Sequence, residues 1–125
     1  MKKILFLAFL LAAFVAPAQT VSTRIYGDTT ATNSLIVTSQ NGQKAYAFCG
    51  YTTTTQYIMV FQTNAVPANG TKATFSVPVT AGQFYSIDFS YYGADLDKCT
   101  VCNSTTANTL TIGAADTTFQ AIFRR

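Results

Sequence analysis

From Ser22 to Arg125 the apolar residues recur at alternate positions in short runs, and Gly, Pro or Asn-Gly separates one run from the next. A period of two matches a strand with one buried face and cannot keep a helix amphipathic. In "QFYSIDFS", Tyr85, Ile87 and Phe89 are expected inward, with Gln83, Ser86 and Asp88 outward or edgewise. In "KATFSVPV", Phe75, Val77 and Val79 share one face. Pro78 falls on the other face and has no N–H for a ladder, so this strand is expected at an edge or at a bulge. In "TTFQAIFR", Phe119, Ala121 and Phe123 share a face and Gln120 opposes them.

"QYIMVFQT" breaks the alternation, because Tyr57, Met59 and Phe61 oppose Ile58 and Val60. A strand apolar on both faces is one covered on both sides. "NSLIVTS", "KAYAFCG" and "NTLTI" read as further strands, with "STRIY" as a first one. Asn41-Gly42 is a preferred type I′ hairpin dipeptide between two of these patterns. Pro67 with Asn69-Gly70, then Gly82 and Gly113, mark later turns. About eight strands at this spacing predict an all-β fold, a single antiparallel β-sandwich or jelly roll. Its core is expected around Phe75, Tyr85, Ile87, Phe89, Phe119 and Phe123.

The N-terminus belongs to a different class. Lys2 and Lys3 precede an unbroken apolar run from Ile4 to Ala16, which ends at Ala16-Pro17-Ala18. That run fits the ~7–15 residues of a signal-peptide core and is shorter than the ~20 of a bilayer span. The reading is a signal peptide over 1–18, cleaved before Gln19, then one β-sandwich domain over 19–125. Used as such, the leader places the protein in the periplasm or outside the cell; retained, it is compatible with a virion.

Charge and composition remove several functions. The net charge of +3 falls to +1 without Lys2 and Lys3. The remaining bases are scattered and form no stripe for a phosphate backbone, so nucleic acid is not an expected partner. The chain has no His, which removes Ser-His and Cys-His nucleophile arrangements.

"DKCTVCNST" holds Cys99 and Cys102 in a C-x-x-C. On a strand the two thiols point to opposite faces, and three extended residues span about 10 Å, beyond the reach of a disulfide. A tetrahedral zinc site needs four ligands, and Cys49 is the one further thiol. No metal or other cofactor is expected. Cys49 can pair with Cys99 or with Cys102, or all three can remain free as small apolar side chains. Asp95 and Asp97 in "GADLDK" read as a solvated loop beside Lys98, with too few oxygens for calcium. The sequons at Asn69 and Asn103 matter only in a host that glycosylates.

The binding candidates are exposed aromatic and hydroxyl groups. Tyr91 and Tyr92 stand next to Gly93 at a strand end, where they can stack on a sugar or on a protein. Thr53 and Thr54 lie within the polar loop Thr52–Thr55. Arg124 and Arg125 end the last strand, as a solvated terminus or a contact for an acidic neighbour.

From about Ser34 to Phe123, the segments "VFQTNAVPANGT", "SVPVTAGQFYSIDFS" and "CNSTTANTLTIGAADTTFQAIF" come in an order that resembles a loose group of small all-β proteins encoded in tailed phages and prophages. The resemblance implies a non-enzymatic virion or assembly-associated structural protein, of decoration or fibre type, working as a homo-oligomer or in a larger assembly. It carries no catalytic residues. The leader supports the alternative, an exported bacterial β-sandwich that binds a surface glycan or protein.

Overall fold

Strand pairing follows a simple rule in this chain: first with last, second with seventh, third with sixth, fourth with fifth. The computed structural model describes residues 22–27, 29–40, 42–89 and 93–125. These contain β1 (Thr23–Gly27), β2 (Ser34–Thr38), β3 (Lys44–Thr52), β4 (Gln56–Phe61), β5 (Phe75–Val79), β6 (Gln83–Asp88), β7 (Lys98–Ser104) and β8 (Gln120–Arg124). The chain is thus one long antiparallel hairpin, bent at β4–β5 and rolled up. Rolling adds the pairs β3–β8 and β4–β7. Sheet A then has the order β1-β8-β3-β6 and sheet B the order β2-β7-β4-β5. This is the jelly-roll form of the β-sandwich, and no described residue is helical.

The inner faces of the two sheets supply the main core. Val37, Phe48, Ile58, Val60, Cys99, Val101, Phe119 and Phe123 are buried in it. Phe48 meets Phe123 and Phe89 edge-on, at ring separations of 6.4 and 5.4 Å. Each buried Phe contributes roughly 1.5–3 kcal/mol of transfer free energy. Of the residues expected there, Tyr85, Phe119 and Phe123 are buried, while Phe75, Ile87 and Phe89 pack half-buried at its rim.

β4 and β7 lie inside sheet B, and both are apolar on both faces. Ile58 and Val60 of β4 point to the main core. Met59 and Phe61 point the other way, into a second cluster with Cys102 and Leu110. Leu110 reaches that cluster from a strap over the outer face of sheet B. The strap is held by Gly70 N–H to Leu110 O at 2.7 Å, Leu110 N–H to Thr71 O at 2.8 Å and the bridge Lys72↔Thr109. "NTLTI" is therefore not a sheet strand. It forms two isolated bridges, Lys72↔Thr109 and Ser104↔Ile112, because its apolar residues cover a sheet instead of joining one.

Asn41-Gly42 also differs from expectation. β2 is in sheet B and β3 is in sheet A, so the turn between them carries the chain across the sandwich. The turn itself is tight: Gln43 N–H donates to Gln40 O at 3.0 Å and Gly42 has φ +78. Asn41 lies outside the described residues. Among the strand connections, β4–β5 alone joins neighbours within one sheet. Pro78 sits on β5, an edge strand, as its missing donor requires.

A register shift between Ala45 and Ala47 puts a bulge in β3 against β8. Ala45 stays in the core on one side of it and Phe48 on the other. Tyr46 is left to carry the Arg124 guanidinium, 4.9 Å from its ring centroid. The leader over 1–18 lies outside the described residues. No helix among those described is long and apolar enough to cross a membrane.

Candidate functional site

The three thiols are free and fall in three environments. Cys99 lies between the sheets and Cys102 in the second cluster on the far side of sheet B. Three positions along one strand have turned them to opposite faces. Burial pushes the Cys99 thiol up to about 12 and the Cys102 thiol up to about 11. Cys49 is on sheet A opposite Ser86; burial, then the Asp88 carboxylate, raises it as well. All three stay protonated near neutral pH and are poor nucleophiles or metal ligands. Among the described residues no group of three or more His, Cys, Asp or Glu stands together.

Thr53 and Thr54 lie in the turn between β3 and β4, at one end of the sandwich. Their hydroxyls face Asp116. Thr54 Oγ1 donates to Asp116 Oδ2 at 2.6 Å and Thr53 Oγ1 to the Asp116 carbonyl at 3.3 Å. Behind them is a polar cluster. Gln56 Nε2 donates to Thr52 Oγ1 at 2.7 Å, Thr117 Oγ1 at 2.5 Å and Asp116 Oδ1 at 3.1 Å. Asn103 Nδ2 donates to Ala114 O at 2.7 Å and to Asp116 Oδ1 at 3.0 Å. Thr52, Asn103 and Thr117 are wholly buried. The cluster joins β3 of sheet A, β4 and β7 of sheet B, and the segment crossing from β7 to β8.

Burial pushes the Asp116 carboxyl up, but hydrogen bonds from Thr54, Gln56, Thr117 and Asn103 outweigh it and hold it below its ordinary value. A carboxylate so solvated by fixed donors remains ionised and has no proton to give near neutrality. Its place in the molecule is that of a clasp between sheets.

Asp95 pairs with Lys44 at 3.5 Å on the exposed surface, a contact worth ~0–1 kcal/mol. The Asp97 carbonyl accepts from Ser39 N–H at 2.9 Å and from its hydroxyl at 3.1 Å. Of the two sequons, Asn103 is fully buried, whereas Asn69 is exposed with its Oδ1 held by Ile112 N–H at 3.0 Å. Tyr91 and Tyr92 lie outside the described residues.

The surface that stands out is the outer face of sheet A. Register places Ile25 beside Ile122, Ile122 beside Ala47, and Tyr51 beside Phe84. Phe84 is 85% exposed and Ile25 63% exposed. The Tyr51 and Phe84 rings lie 5.1 Å apart. The equivalent face of sheet B is roofed over β4 and β7 by the Leu110 strap, while Ile36 on its β2 edge is 49% exposed. Phe84 was legible as the apolar residue of "QFYSIDFS" with the wrong parity for the core. The clasp was not: Gln56, Asn103 and Asp116 are far apart in sequence, and each reads alone as an ordinary polar strand end.

No family model matches the chain, and no curated protein matches it. Among solved structures, the coat protein of Tobacco streak virus is similar over 88% of this chain and 89% of that chain, at 8% sequence identity and a TM-score of 0.45. A similarity at that level bears on neither fold nor function.

Proposed function

We propose that this is a non-enzymatic structural protein that acts by contact, with the outer face of sheet A as its contact surface. The observation that carries the reading is Phe84, 85% exposed beside Tyr51 on the same face as Ile25. Keeping a Phe side chain in water forgoes roughly 1.5–3 kcal/mol of burial. Ile25 stands apart from this pair, on the opposite edge strand of sheet A, so the exposed Tyr51–Phe84 ring pair is the centre of the contact surface. In its finer form the reading is a virion component of decoration or fibre type, supported by the order of segments from Ser34 to Phe123. Many copies on one particle would turn a small interface into firm attachment, with avidity gains of ~10²–10⁴. The jelly roll serves capsid proteins, lectins and cupins alike, so the fold leaves that choice to the surface.

Sedimentation or light scattering on the purified protein tests this, beside Phe84→Ser. The expected result is an oligomer that the substitution dissociates while leaving the melting temperature of the dilute, unassociated protein unchanged. A wild-type protein that stays monomeric and joins no particle in its native fraction refutes the reading.

The second reading, an exported sandwich that binds a surface glycan or protein, is favoured by Lys2, Lys3 and the Ile4–Ala16 run. N-terminal sequencing of the native protein distinguishes the two. A start at Gln19 supports export, and a start at Met1 or Lys2 supports the virion.

A further inference from the structure

On the outer face of sheet B, where the strap meets the β5 edge, lies a cleft of about 340 Å³. Its floor is β4 and β5, with Tyr57 and Ser76 on the outward face. Its wall is the strap, which contributes Asn108, with Lys72 from the β4–β5 connection that holds it. The volume is at the lower end of the ~300–1,000 Å³ of small-ligand sites. It suits one or two sugar rings and is too small for a peptide.

The lining chemistry narrows the ligand. Tyr57 is half-buried against the Met59–Leu110 cluster and borders the cleft. It supplies an aromatic wall of the kind that packs on the C–H face of a sugar. Ser76 Oγ is buried and has no hydrogen-bond partner. Lys72 is exposed and makes no ion pair among the described residues. Its backbone is fixed by the Lys72↔Thr109 bridge and by Ala73 N–H to Asn108 O at 3.3 Å. No acidic residue lines the cleft, which disfavours a cationic ligand. One ammonium balances the single charge of a carboxylate, whereas a phosphate monoester carries about −1.5 to −2.

We propose that this cleft binds a sugar bearing a carboxylate, such as a uronic or sialic acid. Lys72 pairs with the charge, the Tyr57 ring packs on the sugar's apolar face, and Asn108 takes a hydroxyl. The site is independent of the contact face on sheet A, so either can fail without the other.

Titration calorimetry on the full chain tests it, with glucuronic acid and N-acetylneuraminic acid as probes and glucose, acetate and inorganic phosphate as controls. The expected result is binding of at least one acidic sugar, weakened about tenfold or more by Lys72→Gln and reduced at high salt. Tyr57→Phe should retain the binding and Tyr57→Ala should lose it. Circular dichroism of each variant separates loss of the site from loss of the fold, and Phe84→Ser should leave the affinity unchanged. The proposal is overturned if neither acidic sugar binds, if Lys72→Gln binds as well as the wild type, or if acetate or phosphate competes as effectively as the sugar.

Discussion

The Tyr85 hydroxyl donates to the Thr118 carbonyl at 2.9 Å, across the one glycine of β3, Gly50. A Cβ at Gly50 would collide with that carbonyl and lie 2.7 Å from the Tyr85 oxygen. Thr118 is held from the same strand by its N–H to Tyr51 O and by Tyr51 N–H to its Oγ1, both 2.8 Å. The crossing segment is thus seated directly on backbone that only a glycine leaves open.

Gly50→Ala should therefore be among the most damaging single-methyl changes in the chain, since backbone must move to admit it. Tyr85→Phe keeps the ring and removes one hydrogen bond, at a cost of about 1 kcal/mol. Urea unfolding of the two variants gives the ranking. Equal and small losses would mean that the crossing segment does not sit there.

Phe123 and Phe84 are both phenylalanines on sheet A, with opposite burial, at 0% and 85% exposure. Phe123→Ala should cost about 3–5 kcal/mol. Phe84→Ser should leave monomer stability within about 0.5 kcal/mol. Thermal melts at low protein concentration, where association is weak, give the comparison.

The Asp116 clasp predicts an acid dependence with a definite sign. Its folded pKa lies below its unfolded value, which is near ~3.9. Its stabilisation is then present above the unfolded value and lost as pH falls through the folded one. The urea midpoint of the wild type should hold from neutrality down to about pH 5 and drop below about pH 4. Asp116→Asn should be less stable at neutral pH and converge with the wild type in acid. Parallel curves across the range would remove Asp116 as the cause.

Thiol labelling follows from burial and raised pKa values. Iodoacetamide at neutral pH should modify the native protein slowly, at Cys49 before Cys99 or Cys102. Unfolding in denaturant should expose all three. Intact mass before and after unfolding counts them, and rapid native labelling of Cys99 would contradict its place between the sheets.

The period-two pattern carried the architecture because each strand declares its buried face locally. "QYIMVFQT" announced a strand roofed on both sides, and Pro78 an edge, before any partner was known. Asn41-Gly42 misled as a hairpin because a turn dipeptide specifies the reversal and not the sheet that the next strand joins. "NTLTI" misled because a strap over a sheet needs the same apolar residues as a strand within one. Phe84 follows the alternation faithfully, and only its exposure gives it meaning. The clasp and the Lys72 cleft are assembled from positions that meet only after the hairpin has rolled up.

That rolling has a consequence for how the protein is made. β8 lies between β1 and β3, and β7 lies between β2 and β4. Until the last two strands leave the ribosome, β1 and β2 have no neighbours, and neither sheet can be assembled in native order. Contacts this distant in sequence form late and slowly. The nascent chain therefore remains without its native sandwich until β7 and β8 have both been made. That is a state in which a chaperone must protect its apolar strands from those of other chains.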